Sequence, residues 1–110
     1  MGLKYRQYLE GKQVYGCSKC HSHLATGDKI ISKEYSGQQG TAYLFQIVVN
    51  IDEDKSYEDR LMISGTHKIS SVSCNLCSTL LGWKYIKTYD DRQKHKEGKY
   101  LLEKTLLTIV

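Results

Sequence analysis

Short apolar stretches that alternate with polar positions, separated by Gly, Asn, Asp and Ser, run through the chain and predict a mainly β protein. Asp28 to Tyr35 places Ile30, Ser32 and Glu34 on one face and Lys29, Ile31, Lys33 and Tyr35 on the other, which predicts a strand. Ser36 to Gly40 reads as the turn after it. Thr41 to Val49 is mostly apolar on both faces, with Tyr43, Phe45, Ile47 and Val49 opposite Ala42, Leu44, Gln46 and Val48, the pattern of a central strand buried on two sides. Asn50 to Arg60 carries Asp52, Glu53, Asp54, Glu58 and Asp59 and predicts a solvated hairpin tip. Leu61, Met62 and Ile63 then resume the sheet, and Gly65 turns into the strand that carries Cys74. Gly82 to Lys87 sets Trp83, Tyr85 and Lys87 against Lys84 and Ile86. Asp90 to Glu97 predicts a short helix capped by Asp90 or Asp91 and stopped by Gly98, and Lys99 to Val110 predicts a last strand.

Four cysteines in two CxxC pairs, Cys17 with Cys20 and Cys74 with Cys77, add a metal to this picture. Each pair folds as a tight turn that aims two sulfurs at one point, and two turns complete a closed tetrahedral thiolate shell for zinc. Two disulfides would need an oxidising compartment, and the polar opening MGLKYRQYLEG has no apolar export segment. The same opening has Arg6 where a myristoylation signal needs Ser or Thr. Cys17 to His21 also matches the CxxCH of c-type haem attachment, which leaves Cys74 and Cys77 without a purpose. His21 and His23 read as neighbours of the metal or surface residues, with Lys19, His21 and backbone N–H groups offsetting the shell's negative charge. Calcium is excluded for the acidic stretch, because an EF-hand counted from Asp52 would put Tyr57 where Gly is needed and Ile63 where Glu is needed. Each CxxC is followed four residues on by a leucine, Leu24 or Leu81, which fits two hairpins meeting at one metal.

A length of 110 residues matches one domain, here residues 14–110 behind an N-terminal extension of residues 1–13. The formal net charge of +4 is too small to announce a nucleic-acid binder, and no apolar run approaches the roughly 20 residues of a membrane helix. Trp83 to Tyr100 does interleave aromatics with Lys84, Lys87, Arg92, Lys94, Lys96 and Lys99, a composition able to stack bases and neutralise phosphates. Asp90, Asp91 and Glu97 dilute those charges.

The segments CSKCHSHLA, IISK, QGTAYLF, VVN, SGTH, CNLC, LGWKY and KHKEGKYLLE stand in the order and spacing of Yippee-like proteins, which the chain resembles from about Tyr15 to Glu103. The resemblance implies two antiparallel sheets stapled by one zinc on Cys17, Cys20, Cys74 and Cys77, a beta-tent similar to the thalidomide-binding domain of cereblon and to certain centromere-assembly proteins. Trp83 and Tyr85 match two members of the cereblon aromatic cage. The other two members are tryptophans before the second CxxC, where this chain offers Ile69. A partner or ligand pocket is therefore expected around Trp83, Tyr85, Ile69 and, from the turn Ser64 to His67, His67. The resemblance further implies a nuclear and cytoplasmic protein-interaction factor, an adaptor or substrate-recognition component in growth or ubiquitin-ligase-linked regulation. Nucleic-acid or small-ligand binding through the Trp83/Tyr85 face is the alternative. A closed thiolate shell has no open position for chemistry, and a related sulfoxide-reductase fold needs a further cysteine this chain lacks, so no catalysis is expected.

Overall fold

Alternation and turn residues do produce strands throughout, and a computed structural model describes them for residues 7–110. The order is β1 (Val14–Cys17), β2 (His23–Thr26), β3 (Ile30–Gly37), β4 (Gly40–Phe45), β5 (Ile51–Glu53), β6 (Glu58–Met62), β7 (Gly65–Cys74), β8 (Leu80–Thr88), β9 (Tyr100–Glu103) and β10 (Leu107–Ile109). A three-stranded antiparallel sheet, β10-β1-β2, packs on a seven-stranded one, β3-β4-β9-β8-β7-β5, in which β6 also pairs with β7. Among the described residues helix is confined to short 3-10 turns, one of them at Asp91–Lys96 with Asp90 capping through its side chain to the Arg92 N–H. The predicted start and stop of that helix hold, but it is a 3-10 segment. The myristoylation reading of residues 1–6 lies outside the described residues.

The large sheet buries both faces. One face meets the small sheet through Tyr15, Leu24, Phe45, Val72, Leu81 and Leu102, with the Tyr15 ring edge-on to Phe45 at 5.9 Å. Leu24 and Leu81, the residues repeated after each CxxC, are both fully buried there. The other face gathers Ala42, Leu44, Ile69, Trp83, Tyr85 and Leu101, flanked by Tyr35 and Met62. Consecutive apolar residues in β4 and β9 serve opposite faces, which is why the pattern of a doubly buried strand appeared.

Four expectations are corrected. The run to Val49 leaves the sheet after Phe45, since the Gln46 and Val49 N–H groups donate to Lys29 and Leu24 carbonyls instead of to a ladder. Residues 50–60 are no hairpin tip. β5 and β6 both lie antiparallel along β7, opposite Val72–Cys74 and Gly65–Ile69, so the acidic stretch is one edge strand interrupted at 54–57. The run from Lys99 splits at the 3-10 turn Lys104–Leu106, and β9 and β10 enter different sheets. In β3, shifts of register after Ile30 and Ser32 bring Tyr35 and not Glu34 to a half-buried position.

Two hairpin tips frame the outer face. The pairs Gly37↔Gly40 and Met62↔Gly65 each close a two-residue turn, and Gly40 and Gly65 sit at φ of 116° and 115°, where a side chain would be strained. The first tip is anchored by buried Glu103, whose carboxylate accepts from the Gln38 and Gln39 N–H groups at 2.8 and 3.2 Å.

Asn50 is the chief residue that pattern reading misplaced. It is 7% exposed and left-handed at φ 59°. Its Oδ1 accepts from the Gln7 N–H at 2.8 Å, and its Nδ2 donates to the Gln7 and His23 carbonyls at 2.8 and 2.7 Å. The side chain thus ties the extension to β2, while its backbone carbonyl receives the Asn75 N–H of the second CxxC. Asn50→Ala is expected to cost about 2 to 3 kcal/mol in denaturant unfolding, and Asn50→Gly, which relieves the left-handed strain, somewhat less.

Candidate metal centre and aromatic pocket

Both CxxC turns are built alike. Cys17 N–H donates to the Ser22 carbonyl and accepts, through its carbonyl, the His21 N–H; Cys74 does the same with Thr79 and Ser78. His21 and Ser78 take the matching left-handed conformation, at φ of 62° and 65°. These bends turn the four Sγ atoms toward one point at the end of the inter-sheet core, all within 4.8 Å of one another. A zinc tetrahedron with bonds of about 2.3 Å has edges of about 3.8 Å. The Cys17–Cys77 and Cys20–Cys74 pairs stand at 3.6 and 3.5 Å, so the donor set fits the ion.

Burial raises the Cys20 and Cys74 thiols, and backbone N–H groups and one hydroxyl work against it. N–H groups of Ser22 and of Leu76 and Cys77 pull down the thiols of Cys20 and Cys74, though burial outweighs them and pushes Cys20 up to about 12. The Thr79 hydroxyl, 3.1 Å from the Cys77 sulfur, and the Thr79 N–H bring Cys77 down to about 6. Lys19 and His21 are exposed. His23 is not a ligand: its Nδ1 accepts the Leu9 N–H at 2.9 Å.

On the opposite face of the large sheet an open pocket of about 450 Å³ lies between the two hairpin tips, over Trp83 and Tyr85, with Tyr35, Met62 and Lys96 at its sides. The Arg60 guanidinium covers the Trp83 ring at 5.4 Å. Of the four residues expected at a pocket, Trp83 and Tyr85 line it, while His67 and Ile69 are wholly buried beneath and do not. His67 stands edge-on to Tyr85 at 5.3 Å and its Nε2 is 2.8 Å from Ser64 Oγ. Lys96 and Tyr35 were missed, because a lysine in a charged 3-10 segment and a tyrosine after a bulge carry no periodic signal.

A family model described as Yippee zinc-binding/DNA-binding/Mis18, centromere assembly, matches residues 13–110. The chain belongs to the Yippee family. Human protein yippee-like 3 is 45% identical over 100 residues, covering 90% of this chain and 83% of that protein. Human protein yippee-like 4 is 43% identical over 100 residues, covering 90% and 78%. The crystal structure of the Mis18 'Yippee-like' domain superposes with a TM-score of 0.71 over 89% of this chain and 94% of that one, at 16% identity, a likeness of fold alone. In this Yippee domain Cys17, Cys20, Cys74 and Cys77 hold one zinc ion. No helix among the described residues is long and apolar enough to cross a membrane.

Burial first, and the Lys96 ammonium second, hold His67 below the ordinary histidine range. Above about pH 6.5 folded and unfolded chains both carry it neutral; below that, the unfolded chain takes up a proton that the folded one resists, so stability falls as the pH drops. Melting temperatures between about pH 7 and about pH 5.5 are expected to fall more steeply for the unaltered protein than for His67→Gln, with thiolate protonation common to both.

Proposed function

We propose that this Yippee domain is a non-catalytic protein-interaction module, an adaptor or substrate-recognition factor in growth or ubiquitin-ligase-linked regulation that works in the nucleus and cytoplasm. The observation that carries the reading is the separation of roles across the large sheet. Four thiolates fill the zinc's coordination shell on one side and leave it no position for substrate. On the other side the pocket opens beside a hairpin whose Leu61 and Ile63 are 80% and 106% exposed, an apolar rim of the kind that partners cover.

Because Leu61 and Ile63 contribute nothing to the core, the double change Leu61→Asp and Ile63→Asp leaves folding intact. Purification from cells is expected to return a reproducible set of partners, ubiquitin-ligase subunits among them, and the doubly altered, zinc-loaded protein is expected to lose that set. No reproducible partner, or an unchanged set, would overturn the reading.

Nucleic-acid binding, named in the family description, has less support on the Trp83 to Tyr100 stretch. Arg92 pairs with Asp90 at 3.0 Å, Lys94 with Glu97 at 3.2 Å and Lys84 with Glu53 at 3.3 Å, so these cations already have carboxylate partners and are not free for phosphates.

A further inference from the structure

One cation of this molecule is taken inside without a counter-ion. Lys96 is 6% exposed, and among the described residues it makes no ion pair. Its Nζ donates to Ser64 Oγ at 3.2 Å and stands 5.1 and 5.5 Å from the ring centres of Tyr35 and Tyr85, the surroundings of an ammonium. Two carboxylates near it in sequence are committed elsewhere. Glu97 accepts from the Thr88 N–H and Lys94, and Asp90 is held by Arg92.

Ser64 is committed as well. Its Oγ stands 2.8 Å from His67 Nε2 and accepts from Lys96 Nζ at 3.2 Å. An ammonium has three protons to donate, and Ser64 takes one. Lys96 is also one of the residues that border the pocket.

Aromatic walls around an open pocket invite the reading of a cage for a cationic ligand. Here the cage already holds the chain's own ammonium, which would repel a second cation. Arg60, the other cation at the pocket, is balanced by Glu58 at 2.9 Å. One uncompensated positive charge remains beside apolar walls, and a buried charge left unpaired is costly. A ligand that supplies the missing negative charge recovers that cost.

We propose that the pocket binds a small organic monoanion, a carboxylate carried on a flat apolar body, with the carboxylate against Lys96 and the body along Trp83, Tyr35 and Met62. The volume of about 450 Å³ falls within the range of sites for drug-sized molecules. A phosphate dianion brings more charge than Lys96 balances and no surface for the aromatic walls. This site operates whether or not a protein partner docks on the rim, so the two readings stand or fall separately.

Trp83 is the chain's only tryptophan, and its fluorescence reports on the pocket. The zinc-loaded chain is titrated with hydrocinnamate, with its uncharged amide and with inorganic phosphate. The acid is expected to give a saturable change and to bind about tenfold or more tightly than the amide, the size of effect that loss of a charge-assisted bond brings. Lys96→Met is expected to reduce the acid to the affinity of the amide, and phosphate is expected not to displace the acid. Equal binding of acid and amide, no response to either, or binding of phosphate as tight as that of the acid would each overturn the proposal. The acid and amide comparison uses the unaltered chain, so it decides even where Lys96→Met fails to fold.

Discussion

Removal of the zinc is expected to abolish the cooperative thermal transition. Cys17 lies at the end of β1 in the small sheet and Cys74 at the end of β7 in the large one, so the ion joins the two layers at one end of their shared core. It also closes long loops: 54 positions separate Cys20 from Cys74 and 60 separate Cys17 from Cys77. Structural zinc contributes about 10 to 16 kcal/mol in small zinc peptides, as large as the whole ~5 to 15 kcal/mol net stability of an ordinary domain. Without it, four thiols also remain packed together, two of them in the core. A chelator titration followed by near-ultraviolet circular dichroism should show loss of fixed tertiary packing at one equivalent of metal removed, and Cys17→Ser should reproduce it. A sharp, unshifted transition in the metal-free protein would mean that the two sheets hold together by packing alone.

Gly82→Ala should be the most damaging single-atom addition in the large sheet. Gly82 lies in β8, opposite Val72 of β7 on one side and Leu102 of β9 on the other. A Cβ there would run into the Leu101 carbonyl oxygen and stand 2.9 Å from its carbon and 3.1 Å from the Leu102 Cα. All three atoms are backbone, so no side chain can swing aside. Relief requires β9 to part from β8, and Leu101 and Leu102, at 1% and 0% exposure, anchor opposite faces of the sheet. The expected loss is about 3 kcal/mol or more, a fall in melting temperature of more than about 10 °C. Gly65→Ala provides the contrast, because its space is open and only its φ of 115° opposes a side chain; it should cost about 1 kcal/mol. If Gly82→Ala melted like the unaltered protein, the close approach of β8 and β9 would be wrong.

Where sequence reading succeeded, the signal was local. The CxxC spacing, the strand alternation of Trp83 and Tyr85, the turn at Ser36 to Gly40 and the cap at Asp90 each depend on a few neighbouring residues. It failed where a distant partner decides. Gln46 and Val49 look like strand until Lys29 and Leu24 claim their N–H groups. Residues 50–60 look like a tip because their acidic side chains face solvent, whereas their backbone follows β7. Asn50 hid among those carboxylates, and its role rests on Gln7 and His23, 43 and 27 positions away.

The amino-acid order by itself determined the zinc ligands, the β class and the family, because ligand geometry and the pleat of a strand impose spacings of two to three residues that any reader of the chain can count. The tertiary structure alone decided that the last run serves both sheets, that His67 and Ile69 lie under the pocket floor, and that Lys96 is drawn into its wall. Those outcomes depend on which surfaces close over which side chains. Burial is a property of the assembled layers, and no spacing along the chain encodes it.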